Sequence, residues 1–272
     1  MIFDVHQHLT CVPGSPAQVK NTMASVGIEG GAVFSRPPLE NKMDTSCGFE
    51  ERLSQVLDWC KGIEAFHPVL FIHPDEPDAC KKAEEAAAKG IMAFKMIANS
   101  YYVSDEKALR LIETIAALGK PIFFHSGILY NGADSSKYNR PVFWEALIGI
   151  RGLRFSMAHC SWPWHDECIA LYGKFLNHMM SVPDAPAMFF DLTPGTPVIY
   201  RRDLIYKLLH VGYDVENNII WGTDNTLPEY NVEYAKHWLD IDNQLFDEFD
   251  ISQEVQERIF HKNYFSFMGF SE

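Results

Sequence analysis

The chain opens on Ile2-Phe3-Asp4-Val5-His6-Gln7-His8, two imidazoles one residue apart at the end of an apolar run. Side chains at i and i+2 of an extended strand point to one face, so His6 and His8 can meet a single ion from neighbouring levels. His125 ends Pro121-Ile122-Phe123-Phe124-His125, His159 ends Phe155-Ser156-Met157-Ala158-His159, and Asp224 follows Ile219-Ile220-Trp221-Gly222-Thr223. A lone histidine at a strand end is more often a structural hydrogen-bonding residue than a ligand. His6, His8, His125, His159 and Asp224, each at the end of an apolar run, together predict a metal site. Nitrogen and carboxylate donors of this kind suit Zn2+, and also Mn2+, Fe2+ or Co2+.

Something must bring these residues together. Eight β-rich runs read as strands: Ile2–His6, Ile28–Ser35, His67–His73, Ile91–Ile97, Pro121–His125, Leu153–His159, Met188–Leu192 and Asn218–Thr223. Helical stretches alternate with them, among them Glu76–Lys89, Ser104–Leu118, Arg202–Leu209, Val232–Phe249 and Gln253–Phe260. This alternation predicts an α/β fold, a closed (β/α)8 TIM barrel whose strand ends converge on one mouth. Closure would set the strand of Asp224 beside that of His6, with His125 reaching across. A doubly wound open sheet is the alternative, but it usually carries a Gly-rich phosphate turn after its first strand, where this chain has His-Gln-His. The polar segments Pro37–Gly48 and Asn131–Arg140 follow strands and read as loops over the mouth, so residues 1–272 form a single predicted domain.

Composition narrows the partners. The 272 residues are 47% hydrophobic and 22% charged, enough to bury a sizeable core. Net charge is −13, from 23 basic and 36 acidic residues, which argues against nucleic acid, because phosphate binding needs clustered Lys and Arg. A single local cation can still receive a small anionic substrate, and Arg36 and Lys95 both follow or sit in strand runs. The six cysteines form no C-x-x-C pair and read as reduced thiols of a cytoplasmic protein. No signal peptide and no membrane-spanning apolar run are expected. His73 is a further candidate for the mouth, whereas His165, His178, His210 and His237 are expected to be solvated and His261 to pack or cap near the C-terminus.

The segments Phe3-Asp4-Val5-His6-Gln7-His8, Ala93-Phe94-Lys95-Met96, Gly119-Lys120-Pro121-Ile122-Phe123-Phe124-His125-Ser126-Gly127, Met157-Ala158-His159 and Asn218-Ile219-Ile220-Trp221-Gly222-Thr223-Asp224 resemble the amidohydrolase superfamily of metal-dependent barrels. So does the closing Arg258-Ile259-Phe260-His261-Lys262-Asn263-Tyr264. The branch most similar includes aminocarboxymuconate semialdehyde decarboxylase, other aromatic-acid decarboxylases and lactone hydrolases. The resemblance covers nearly the whole chain and is specific for the superfamily, not for the substrate. It implies one divalent ion held by His6, His8, His125 and Asp224, with His159 off the metal as an acid/base or oxyanion-stabilising residue. Relatives with two ions bridge them through a carboxylated Lys at the end of the fourth strand. Lys95 is in roughly that place, so a second metal follows only if Lys95 is carboxylated; the preferred reading makes it a cation for an anionic substrate.

The expected activity is hydrolysis of an ester, lactone or amide by metal-activated water, with Asp224 accepting the proton and His159 polarising the carbonyl or protonating the leaving group. Nonoxidative decarboxylation of a small aromatic or unsaturated acid is the alternative, and a non-catalytic metal-binding barrel a third reading. Arg36 is expected to clamp a carboxylate or phosphate, and Trp162 and Trp164, joined by Tyr101, Tyr102 and Tyr130, to form a flat wall. Cys160, next to His159, should point away from the mouth and is not read as a nucleophile. A homodimer is in keeping with this branch.

Overall fold

Apolar strands and amphipathic helices alternate in a computed structural model that describes residues 1–270. The strands are β1 (Ile2–Leu9), β2 (Ile28–Phe34), β3 (Phe66–Phe71), β4 (Ala93–Ile97), β5 (Ile122–His125), β6 (Arg154–Met157), β7 (Ala187–Asp191), β8 (Ile219–Ile220) and β9 (Asn225–Leu227). They pair in parallel in the order β8-β7-β6-β5-β4-β3-β2-β1-β9. The two ends of that order belong to one stretch of chain. Residues 219–220 pair with β7, residues 225–227 pair with β1, and between them Val5 N–H donates to the Trp221 carbonyl at 3.1 Å. The sheet therefore closes into the predicted barrel, and the doubly wound alternative is excluded.

The expected eighth strand, Asn218–Thr223, is thus two short pieces flanking an irregular turn. Asn225-Thr226-Leu227 is too short and too polar to read as a strand in isolation; its pairing with Gln7, His8 and Leu9 makes it one. Every residue of β3, β4 and β5 is buried, as parallel strands covered on both faces require.

The helices are α1 (Pro16–Ala24), α2 (Phe49–Cys60), α3 (Ala79–Ala88), α4 (Glu106–Ala117), α5 (Ser135–Tyr138), α6 (His165–Met179), α7 (Val198–His210), α8 (Val232–Glu248), α9 (Gln253–Glu257) and α10 (Asn263–Met268). In α4 the expected face, Ala108, Leu111, Ile112, Ile115 and Ala116, is the buried one. The stretch expected as one helix over Gln253–Phe260 ends at Glu257, passes through a wider turn at Arg258–Lys262 and resumes as α10. Tyr264, Phe267 and Met268 of α10 pack with Phe3, Phe123 and Phe189 and fill the barrel floor. No described helix is long and apolar enough to cross a membrane.

The strand parity of β1 changes within the motif. Phe3 and Val5 belong to the barrel interior, yet His6 and His8 also face the mouth. A register shift against β2 between Asp4 and Gln7 reconciles the two. An irregularity of this kind re-aims side chains, here from a hydrophobic floor to a polar mouth.

Candidate active site

At the C-terminal ends of the strands lies a cavity of about 340 Å3. His6, His8, Lys95, His125, His159 and Asp224 all line it. The Nε2 of His8 is 3.1 Å, and that of His6 3.6 Å, from Oδ1 of Asp224. These three residues offer donor atoms that all lie within 4.8 Å of one another, which fits a divalent ion. His125 stands outside this group. Its ring centroid is 5.3 Å from that of His159, and its buried Nε2 has no hydrogen-bond partner. An unpartnered buried imidazole nitrogen on a residue that lines the same cavity is a further mark of a place for an ion.

His6 is oriented by a residue that sequence reasoning missed. Its Nδ1–H donates to Oδ2 of Asp191, at the end of β7, over 2.7 Å. The Lys95 ammonium, which only donates, lies 3.2 Å from Nε2, so the His6 proton sits on Nδ1 and the Nε2 lone pair faces the cavity. Burial pulls the Lys95 ammonium down to about 8, against the attraction of Asp191 and Asp224. Burial likewise drives the imidazoles of His6, His125 and His159 below their ordinary range, so they are neutral at pH 7 and free to act as ligands or bases. Burial pushes Asp224 up, but the hydrogen bond with His8 prevails and holds its carboxyl below the usual carboxylate range.

Asp224 occupies the turn between β8 and β9 with φ of 59°, a left-handed conformation in which a non-glycine residue needs support. Asp4 supplies it, as a second residue missed from sequence. Its buried carboxylate accepts from Thr223 N at 2.8 Å, Thr223 Oγ1 at 2.5 Å, Tyr230 Oη at 2.9 Å and His6 N at 3.2 Å. Asp4 therefore ties the first motif strand to the turn that carries Asp224. Gly222 gives it room, since a Cβ there would stand 3.0 Å from Asp4 Oδ1 and 2.8 Å from Thr193 Cγ2.

His159 lies just past β6, not in it. His159, Cys160 and Ser161 have φ of 56°, 44° and 62°, a run of left-handed residues without a glycine. Such strain persists only where surroundings impose it. Ser126 Oγ bonds Ser161 Oγ at 2.8 Å, His165 Nδ1 bonds the Cys160 carbonyl at 2.9 Å, and Thr193 Oγ1 lies 3.0 Å from His159 Nδ1. Thr193 N in turn donates to Asp191 Oδ1 at 3.0 Å, so one carboxylate braces both His6 and the loop behind His159. Gly195 closes on the same ring: a Cβ there would stand 2.7 Å from His159 Cγ. The Cys160 thiol is buried, turned to the Asp191 carbonyl at 3.5 Å and raised by burial, which removes it from nucleophilic chemistry.

The expected substrate residues are dispersed. Arg36 does not line the cavity: Nη1 pairs with Glu51 at 2.6 Å and Nε donates to the Thr45 carbonyl at 2.9 Å, so it braces the loop after β2. Trp162 lines the cavity and packs on Tyr200, ring centroids 4.7 Å apart. Trp164 lies outside it, beneath the Arg140 guanidinium. Tyr130 stands at the rim, whereas Tyr101 packs on His73 and Tyr102 on Tyr138 and Phe143, away from the mouth. His73 does not reach the cavity either, its Nδ1 accepting from Asp75 N. His165, expected on a solvated helix, is 8% exposed because it ties off the strained turn at Cys160.

A family model described as amidohydrolase matches residues 3–263. Comparison with curated protein sequences returned no match. Among solved structures, a probable 2-pyrone-4,6-dicarboxylic acid hydrolase of Acinetobacter baumannii, with citric acid bound, superposes with a TM-score of 0.69 at 11% identity over 99% of both chains. A 2,6-dihydroxybenzoate decarboxylase of Rhizobium gives 0.64 at 14% identity, also over 99% of both. A dihydroorotase of Campylobacter jejuni gives 0.61 at 14% identity, over 100% of this chain and 84% of its own. At these identities the solved structures speak for the barrel alone.

Proposed function

The chain belongs to the amidohydrolase family, and from that premise we propose that it hydrolyses an ester, lactone or amide bond in a small organic molecule at the cluster of His6, His8 and Asp224. The observation that carries the proposal is this group of three donors, with His6 held in the ligating tautomer by Asp191. His6, His8 and Asp224 would hold one divalent cation, taken to be Zn2+, with His125 as a fourth donor through its unpartnered Nε2. When bound, such an ion polarises a carbonyl and lowers the pKa of water to about 7.

The protein's own groups do the rest. Asp224 stays ionised across the neutral range and can accept the proton of the attacking water. His159 is neutral at pH 7, its Nδ1 engaged by Thr193; it can donate a hydrogen bond to the carbonyl oxygen or, once it has taken up the proton that Asp224 removes from the water, pass that proton to the leaving group. The ammonium of Lys95 offsets the negative charge that grows on oxygen as the acyl group is attacked. Lys95 is thus a cation for an anionic group, and the substrate or product carboxylate is its partner.

The test begins with metal content. Protein loaded with Zn2+ is expected to bind one ion per chain, and Asp224→Asn to lose it. A panel of lactones, aryl esters and aromatic acids then separates hydrolysis, read as acid release, from decarboxylation, read as CO2. Activity that survives both Asp224→Asn and His159→Asn would refute the mechanism.

A further inference from the structure

We propose that the cavity selects a compact, largely apolar molecule bearing one anionic group and no second, with that group received by Lys95 beside the donor cluster. The proposal rests on the reading above and narrows its substrate.

Among the described residues that line the cavity, Lys95 is the single lysine or arginine. It is 1% exposed, with Nζ 3.2 Å from His6 Nε2 and 5.0 Å from the centre of the Phe34 ring. An anion that reaches this ammonium is therefore held next to His6, where the reacting group must also be. The remaining wall is dominated by Leu9, Met43, Phe71, Ile97, Ile128 and Leu129. Hydroxyls of Ser35, Thr45 and Thr226 can serve neutral polar groups, but they bring no charge. The one other positive charge, the ion that His6, His8 and Asp224 would hold, belongs to the same end as Lys95, so a second carboxylate against the apolar wall would lose hydration with no cation beside it, a cost that apolar contact does not recover. The other cation that the sequence offers, Arg36, is committed to Glu51 and the Thr45 carbonyl outside the cavity. The net charge of −13 adds a long-range field that disfavours polyanions further.

The experiment titrates benzoate, the neutral isostere benzamide and the dianion isophthalate into Zn2+-loaded and metal-free protein, with binding read by calorimetry. Benzoate is expected to bind the loaded protein at least about tenfold more tightly than isophthalate. Lys95→Met should weaken benzoate by at least about tenfold and leave benzamide within about twofold. A gain-of-function variant tests the wall independently: Leu129→Arg supplies the missing cation and should raise isophthalate affinity by about tenfold while sparing benzoate. Equal affinity for benzoate and isophthalate, no benzoate binding to the loaded protein, or no response of isophthalate to Leu129→Arg would overturn the proposal. Zinc content measured on the same samples keeps the two readings apart. Protein that takes up no zinc yet still prefers benzoate refutes the metal reading alone, and protein that takes up zinc without that preference refutes this one alone.

Discussion

Asp191 Oδ2 receives the Nδ1–H of His6 at 2.7 Å, and the contact decides which nitrogen of the imidazole faces the mouth. Its other oxygen receives Thr193 N, whose side chain abuts His159. Asp191→Asn keeps the shape but can present an amide N–H to His6 and release its tautomer. Loss of such a partner typically weakens metal affinity about 10–100-fold. Competition for Zn2+ against a chelator measures this, and an unchanged affinity would show that Asp191 does not orient the ligand.

Gly195 is not among the glycines in the left-handed region, so its role is one of space. In Gly195→Ala the new methyl meets the His159 ring at 2.7 Å from Cγ, and the ring or the loop must move. Displacement of a reacting group by about 1 Å can cost about 100-fold in rate, and a loss of that order in kcat is expected with KM little changed. Gly132→Ala, where a Cβ meets nothing within 4 Å, serves as the control. Equal kcat for the two variants would contradict the role given to Gly195.

Acid should loosen the floor of the barrel through His67. This ring is buried between Phe3 and Tyr264, bonds Tyr264 Oη at 2.7 Å, and is lowered by burial from 6.5 to about 4. Between those values the unfolded chain binds a proton that the native protein refuses, so stability falls as pH falls from 6.5 to about 4 and then levels off. The full contribution is about 3 kcal/mol at 1.36 kcal/mol per unit. Chemical denaturation of wild type and His67→Gln across this range isolates it. The stability difference between the two proteins should shift by that order; a constant difference would exclude His67 as the acid-sensitive group.

Arg201 and Asp242 form a buried pair in α7 and α8, joined by Nε to Oδ1 at 2.8 Å and Nη2 to Oδ2 at 2.7 Å. Arg201 also donates to the Leu192 carbonyl just past β7, and Trp221 Nε1 donates to Asp242. Asp242→Ala strands a buried guanidinium and is expected to cost about 3–5 kcal/mol of stability. Replacing both members with apolar residues should recover much of that loss. A single variant as stable as wild type in urea would show that the pair is dispensable.

The barrel was legible in the sequence because parallel strands covered on both faces are unbroken apolar runs, and the donors end those runs. His6, His8 and Asp224 meet as their positions predict, and Lys95 joins them. Residues whose meaning depends on a distant partner were not legible. Asp191 and Asp4 are single acids in apolar surroundings, and only the closed barrel shows that they serve His6 and Thr223, 185 and 219 positions away. Arg36 misled for the same reason. Its place after β2 suited a substrate clamp, but nothing local reveals that Glu51, in the first turn of α2, takes its charge. The polarity of Asn225-Thr226-Leu227 hid a strand whose identity comes from β1.

The split eighth strand sets an order of events during synthesis. His6 is translated before residues 219–227, and until that stretch pairs with β7 and β1 the sheet keeps an open edge. The same stretch delivers both the hydrogen bonds that close the ring and the carboxylate that completes the donor cluster. A shortened chain that stops before this seam would have neither, and is expected to take up no metal where the finished barrel does.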